Sequence, residues 1–196
     1  MNIQRIFLFF TLLIIALWVM FFSLKKVDVI IQAGHEGLHS GNTGAQTKLY
    51  REVDWNVKVA NRVAEILRKR GISVLRMGAN THLSRAKIAI AIHFDGSKRI
   101  CHSGASVGYP NNNSKAFAQR WKRVYKKYFP FKWHKDNFTP ALRHYYGYYW
   151  IRADRFLLLE LGEITCAKQA KWLKPRLDKI AQMIADTIRK ELWTIK

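Results

Sequence analysis

The chain has 196 residues, 49% of them hydrophobic, which is room for one folded domain plus an appendage and excludes a disordered protein. Lys and Arg number 34 against 13 Asp and Glu, a formal net charge of +21 at pH 7. Such a field draws polyanions (nucleic acid, anionic lipid or anionic wall polymer) without choosing among them.

The first element is an apolar run over residues 6–24, IFLFFTLLIIALWVMFFSL, broken only by Thr11, Ala16 and Ser23. About 17–25 apolar residues span a bilayer as a helix. The run ends in Lys25 and Lys26 with no small-residue cleavage site, so residues 1–26 read as an uncleaved transmembrane anchor. Charge fixes its orientation poorly, because Arg5 and the amino terminus lie on one side and Lys25 and Lys26 on the other. The anchor argues against a genomic nucleic-acid partner. Residues 27–196 read as one domain, with no internal repeat and no linker rich in Gly, Ser or Pro.

Within that domain, residues 27–33 (VDVIIQA) read as a buried strand. A glycine-punctuated segment follows. Residues 52–70 place Val53, Val57, Ala60, Val63 and Leu67 at helical spacing, and Gly71 stops the helix. Residues 72–77 and 87–93 read as strands and 106–109 as a short edge strand. Residues 114–128 read as a helix with Phe117, Trp121, Val124, Tyr125 and Tyr128 on one face. Residues 156–161 (FLLLEL) are another buried strand, and the tail from Lys174 carries Leu177, Ile180, Ile184, Ile188 and Leu192 on one stripe. This alternation predicts an α/β fold of three layers, a mostly parallel central sheet flanked by helices. In such sheets ligands bind outside the carboxyl ends of the strands.

The segment after the first strand, GHEGLHSGNTG, contains His-Glu-x-x-His, the letter pattern of a zinc protease helix in which His35 and His39 bind zinc and Glu36 is the base. Gly34, Gly37, Gly41 and Gly44 oppose a helix there, each costing about 1 kcal/mol relative to Ala. The segment reads as a loop with His35 at the carboxyl end of the first strand. His93 closes the third strand, Glu52 opens the first helix and Glu160 lies near the end of FLLLEL. Two imidazoles and a carboxylate are the common three-ligand set of a catalytic zinc, with the fourth position left to water. A second carboxylate can take the water's proton and pass it to a leaving group. Each residue alone has a structural explanation. Glu160 is the least ordinary, because a charge inside an apolar run needs a partner.

At these residues the chain resembles the zinc-dependent N-acetylmuramoyl-L-alanine amidases of the type found in bacterial cell-separation enzymes. VIIQAGHEG is similar to that family's first strand and Gly-His-x-Gly loop, and REVDWNVKVANRVAEILRKRGISVLRM to its glutamate-bearing helix and following strand. IAIAIHFDGS is similar to its Ser-Ile-His-Ala-Asn strand end, and FLLLELGEIT to its Val-Glu-Leu-Gly-Phe strand. The resemblance implies that His35, Glu52 and His93 bind Zn2+ and that Glu160 is the catalytic acid and base. The implied reaction hydrolyses the amide between N-acetylmuramic acid and the first L-alanine of the peptidoglycan stem. It also implies a domain on the extracytoplasmic face of the membrane, the periplasmic side of the inner membrane in a Gram-negative cell. Ala33, Glu36 and Glu163 depart from the family pattern, and the link from Arg76 to His93 is short enough to lack a helix.

Four further expectations are tested below. Glu36 and His144 are candidates for supporting the metal ligands from behind. The aromatic stripe of residues 114–128 reads as core rather than as a stacking groove. The rings of RHYYGYYWIR, residues 143–152, read as partly buried filling of an irregular loop. Cys101 and Cys166 follow His93 and Glu160 closely enough to pair beside the site if those two strands are neighbours, provided the domain is outside the cytosol. The alternatives to the amidase reading are the zinc peptidase built on His35, Glu36 and His39, and a non-catalytic basic domain that binds polyanions from the membrane.

Overall fold

A computed structural model describes residues 6–15, 26–38 and 41–195. Residues 6–15 are helical; the rest of the expected span, 16–24, lies outside the described residues. Among the described residues no helix is long and apolar enough to cross a membrane.

The domain is built on a five-stranded sheet: β1 (Val27–Ala33), β2 (Val74–Met77), β3 (Ser84–Asp95), β4 (Ala105–Gly108) and β5 (Ile151–Glu163), in spatial order β2-β1-β3-β5-β4. The first four in that order run parallel, and β4 closes one edge antiparallel to β5. The helices are α1 (Glu52–Lys69), α2 (Asn112–Tyr128), two four-residue turns α3 (Pro140–Arg143) and α4 (Gly147–Trp150), α5 (Ala167–Leu173) and α6 (Leu177–Leu192). The expected mixed α/β architecture with a mostly parallel sheet is present. Both long strands extend past their apolar runs, because β3 and β5 continue their pairing down to Ser84 and Ile151.

The two faces of the sheet are covered unequally, and β3 shows why. Ile88, Ile90 and Ile92 point to one face, Ala89 and Ala91 to the other. The branched face packs against α1, α2 and α6, whose Val63, Leu67, Phe117, Trp121, Ile180 and Ile184 are all buried. The alanine face leaves room for large rings close to the sheet, and Leu142, Tyr145 and Phe156 fill it. No helix connects β2 to β3, as the short link implied. Among the described residues the second helical layer therefore consists of the short α3 and α4.

In α2, Asn111 caps the first turn by accepting from the Ser114 N–H. Phe117, Trp121 and Tyr125 are buried, with Trp121 stacked on Tyr125 at 4.7 Å, so the stripe is core. Val124, expected on that stripe, is 41% exposed; the buried face is narrower than the spacing suggested. Of the rings in residues 145–150, Tyr145 is buried while Tyr149 and Trp150 are exposed.

Candidate metal centre and catalytic site

The proposed ligands leave the ends of three different elements at the carboxyl edge of the sheet. β1 ends at Ala33, Gly34 turns the chain, and His35 follows with φ 64°, in the left-handed region. Residues 34–37 form a turn. That conformation excludes the zinc-protease helix, which would require helical φ at His35; His39 lies outside the described residues. Glu52 is the first residue of α1, and His93 lies near the end of β3.

These residues converge. His93 Nδ1 is 3.0 Å and His35 Nε2 3.3 Å from Glu52 Oε1, and the three potential ligand atoms all lie within 4.8 Å of one another. Glu52 Oε1 also accepts from the Phe94 N–H at 3.2 Å and from Asn56 Nδ2 at 3.2 Å, and Oε2 accepts from the Ala45 N–H at 2.8 Å. Burial works against ionisation of Glu52, but the two imidazoles hold it well below the usual carboxylate range. Burial likewise opposes protonation of His35, and the Glu52 carboxylate and Asn42 outweigh it, so its pKa is raised.

The glycines of the loop are required by this convergence. A Cβ on Gly34 would stand 2.2 Å from the His93 ring. One on Gly44, whose φ is +74°, would stand 2.2 Å from Glu52 Oε2 and 2.7 Å from His35 Cδ2.

Behind His93 is a hydrogen-bond chain that the sequence did not announce. Tyr145 donates its hydroxyl to Gln32 Oε1 at 2.8 Å, and its oxygen is 3.4 Å from His93 Nε2. With the phenol committed to Gln32, its oxygen is free to accept from His93 Nε2–H, the tautomer His93 would take if its Nδ1 held a metal. Burial pushes the Tyr145 phenol well above its ordinary pKa, so it stays a donor. Sequence reasoning placed His144 here. His144 is exposed, and its neighbour Tyr145 stands behind His93 instead. Glu36 points elsewhere, pairing with Arg76 at 2.6 Å.

Glu160 faces the ligands from the adjacent strand, in register with His93. It lines a cavity of about 360 Å³ with His35, His93, Phe138, Leu142 and Tyr145, and a second of about 480 Å³ with Glu52, Asp95, Ser97, Lys98 and Thr165. Together they form a cleft with one apolar and one polar wall. Glu160 Oε2 is buried without a hydrogen-bond partner. Burial, then the charges of Glu52 and Asp95, push its pKa well above the usual carboxylate range.

The polar wall is held together from behind. Cys101 and Cys166 form a disulfide, 65 residues apart in the chain. Glu163, at a position the family resemblance makes aromatic, is fully buried and accepts from the N–H groups of Cys101 (2.9 Å) and Ser103 (2.7 Å) and from Thr165 Oγ1 (2.7 Å). Ser103 donates to Asp95, and His134 stands 3.2 Å from the same hydroxyl.

The sequence profile of the N-acetylmuramoyl-L-alanine amidase family matches residues 29–190. No curated protein matches the chain in sequence. Among solved structures, the catalytic domain of CwlV, an N-acetylmuramoyl-L-alanine amidase from Bacillus (Paenibacillus) polymyxa, is similar with a TM-score of 0.65 at 24% identity, covering 86% of this chain and 98% of that one. An N-acetylmuramoyl-L-alanine amidase from Clostridium difficile superposes with a TM-score of 0.66 at 18% identity over 87% and 99% of the two chains. The CwlD amidase from Clostridioides difficile, solved in complex with the GerS lipoprotein, gives 0.62 at 19% identity over 87% and 100%.

Proposed function

The chain belongs to the N-acetylmuramoyl-L-alanine amidase family and is an amidase acting on peptidoglycan, and from that premise we propose that it is a zinc enzyme cutting the amide between the lactyl group of N-acetylmuramic acid and L-alanine. The observation that carries this reading is the meeting of His35, Glu52 and His93 within 4.8 Å, opposite the unpartnered Glu160 oxygen. Ligand atoms about 2.0–2.2 Å from a tetrahedral zinc lie roughly 3.3–3.6 Å apart; the 3.0 and 3.3 Å separations at Glu52 Oε1 are close to that spacing, and all three atoms lie within 4.8 Å of one another. Two imidazoles and one carboxylate, without a thiolate, are a donor set that zinc accepts and that leaves a coordination position open.

A bound zinc supplies Lewis acidity and lowers the pKa of water. The remaining work falls to the chain's own groups. Glu52 is held rigid by Ala45, Phe94 and Asn56, and His93 by Tyr145. Glu160 accepts a proton from the attacking water and returns it to the departing amide nitrogen. The apolar wall excludes water beside the reacting bond, and Lys98 and Ser97 on the polar wall face the polar part of the polymer.

The anchor reading of residues 1–26 and an extracytoplasmic site belong to the same proposal. They are supported by the apolar run 6–24 and by a disulfide, which persists in oxidising compartments. Peptidoglycan is then the partner that matters. Metal analysis of the purified chain tests the cofactor: one zinc per chain, lost in His93→Ala and retained in Glu160→Gln, is expected. Retention of zinc by His93→Ala would remove the proposed ligand set. Fractionation tests the anchor: the chain stays with membranes through an alkaline carbonate wash, and its release would refute that part.

A further inference from the structure

The sheet has two ends. The carboxyl end holds the catalytic cleft. The amino end carries features the amidase reaction does not use. Lys26, which precedes β1 directly and follows the apolar run 6–24, stands on the rim of a cavity of about 230 Å³ lined also by Arg85, Arg152, Asp154 and Tyr148. Arg152 follows Ile151, which pairs with Ser84 where β3 begins. A second cavity, of about 380 Å³, is lined by Arg70, Ile72, Arg189, Leu192 and Trp193. It also belongs to the amino end, because Ile72 leads into β2 and both α1 and α6 finish there.

Large exposed rings are found at the same end. Trp193 is 85% exposed, Tyr149 63% and Trp150 51%. Trp193 and Trp150 are the two exposed tryptophans among the large hydrophobics of the described residues. Trp and Tyr settle at membrane–water interfaces, where an apolar ring with a polar edge is at home. The acids at this end are already engaged: Asp154 with Lys26 at 2.7 Å, Asp28 with Lys87 at 2.8 Å and Asp186 with Arg70 at 2.8 Å. Arg152, Arg189 and Lys190 add positive charge to the same face. Basic residues near an anionic bilayer are attracted to its headgroups.

The geometry points to this amino-end face as a docking surface for anionic phospholipid, with Trp150 and Trp193 entering the interface and headgroup phosphates meeting the Arg85–Arg152 and Arg70–Arg189 cavities. It rests on the anchor reading above, since residue 26 delivers the chain to this face. Its consequence is orientation. Ser84 and His93 are nine steps apart on β3, about 30 Å at 3.3 Å per residue, so the cleft opens that far from the bilayer and towards the wall.

Quenching of tryptophan fluorescence by lipid brominated near the headgroup tests it on the full chain reconstituted in phosphatidylglycerol vesicles. Trp18, inside the apolar run, reports the anchor. Wild type should be quenched. Trp18→Phe should retain part of that quenching, and the triple variant that adds Trp150→Phe and Trp193→Phe should lose it. The part retained by Trp18→Phe should also fall when phosphatidylcholine replaces phosphatidylglycerol and in Arg85→Glu/Arg152→Glu. Lys126→Glu/Lys127→Glu, at the end of α2, should leave it unchanged, and amidase turnover on soluble muropeptide should be unaffected throughout. If wild type is quenched and Trp18→Phe is not, the anchor reading stands and the docking face is refuted. If wild type is not quenched, the anchor reading fails and takes this inference with it. Equal quenching on neutral lipid, or an equal loss in the Lys126/Lys127 variant, would refute headgroup recognition by this face.

Discussion

One carboxylate oxygen, Glu52 Oε1, meets two imidazole nitrogens and two N–H donors, and the residues around this cluster make separate predictions. Glu160→Gln should lower kcat by about 10²- to 10⁴-fold, the usual contribution of a general acid–base, with zinc content unchanged by metal analysis. Tyr145→Phe removes the acceptor behind His93 and should weaken metal binding by about 10- to 100-fold, read by competition with a chelator. Gly34→Ala drives a Cβ into the His93 ring and should cost metal affinity even where circular dichroism reports an intact fold. His35, Glu52, His93 and Glu160 were legible because each stands at a recognisable element end. Tyr145 was not, since nothing local distinguishes it from the rings beside it, and it acts through partners 52 and 113 residues away. Gln32 and Asn56 did carry a signal: an amide inside a buried strand, and a polar residue one turn after Glu52 on the buried face of α1.

At the scale of elements, the site depends on β3 and β5 lying side by side, which sets His93 against Glu160 and brings Cys101 near Cys166. Replacing both cysteines with serine should cost about 2–4 kcal/mol, seen as a lower Tm that matches the reduced wild type. The same change should raise KM more than it lowers kcat, because the bridge holds the Ser97–Lys98 wall rather than the reacting groups. The α2 ring stack is core, so Trp121→Ala should destabilise by about 3–5 kcal/mol in denaturant titration. Hydrophobic periodicity located every long element. It could not show the extra length of β3 and β5, whose first residues are largely polar and held by cross-strand pairing, nor the four-residue α3 and α4, too short for any period to register. The role of Glu163 was also hidden, since a glutamate in that position looks like a surface charge until its three donors are seen.

Across the whole molecule, the proposed functions are divided between the ends of one sheet: cleavage at the carboxyl edge, and contact with lipid at the amino edge. Net charge alone, +21 at pH 7, gave the class of partner but no location; its placement around two cavities and two exposed tryptophans became visible only with the fold. The claim on which the account rests is that His35, Glu52, His93 and Glu160 together break the lactyl–alanine amide. Mass analysis of purified peptidoglycan incubated with the zinc-loaded full chain tests this most directly. Free stem peptides beginning with L-alanine, alongside glycan carrying bare lactyl carboxylates, are expected, and both should vanish in Glu160→Gln. Cleavage within the stem peptide, or no release by a chain holding one equivalent of zinc, would contradict it.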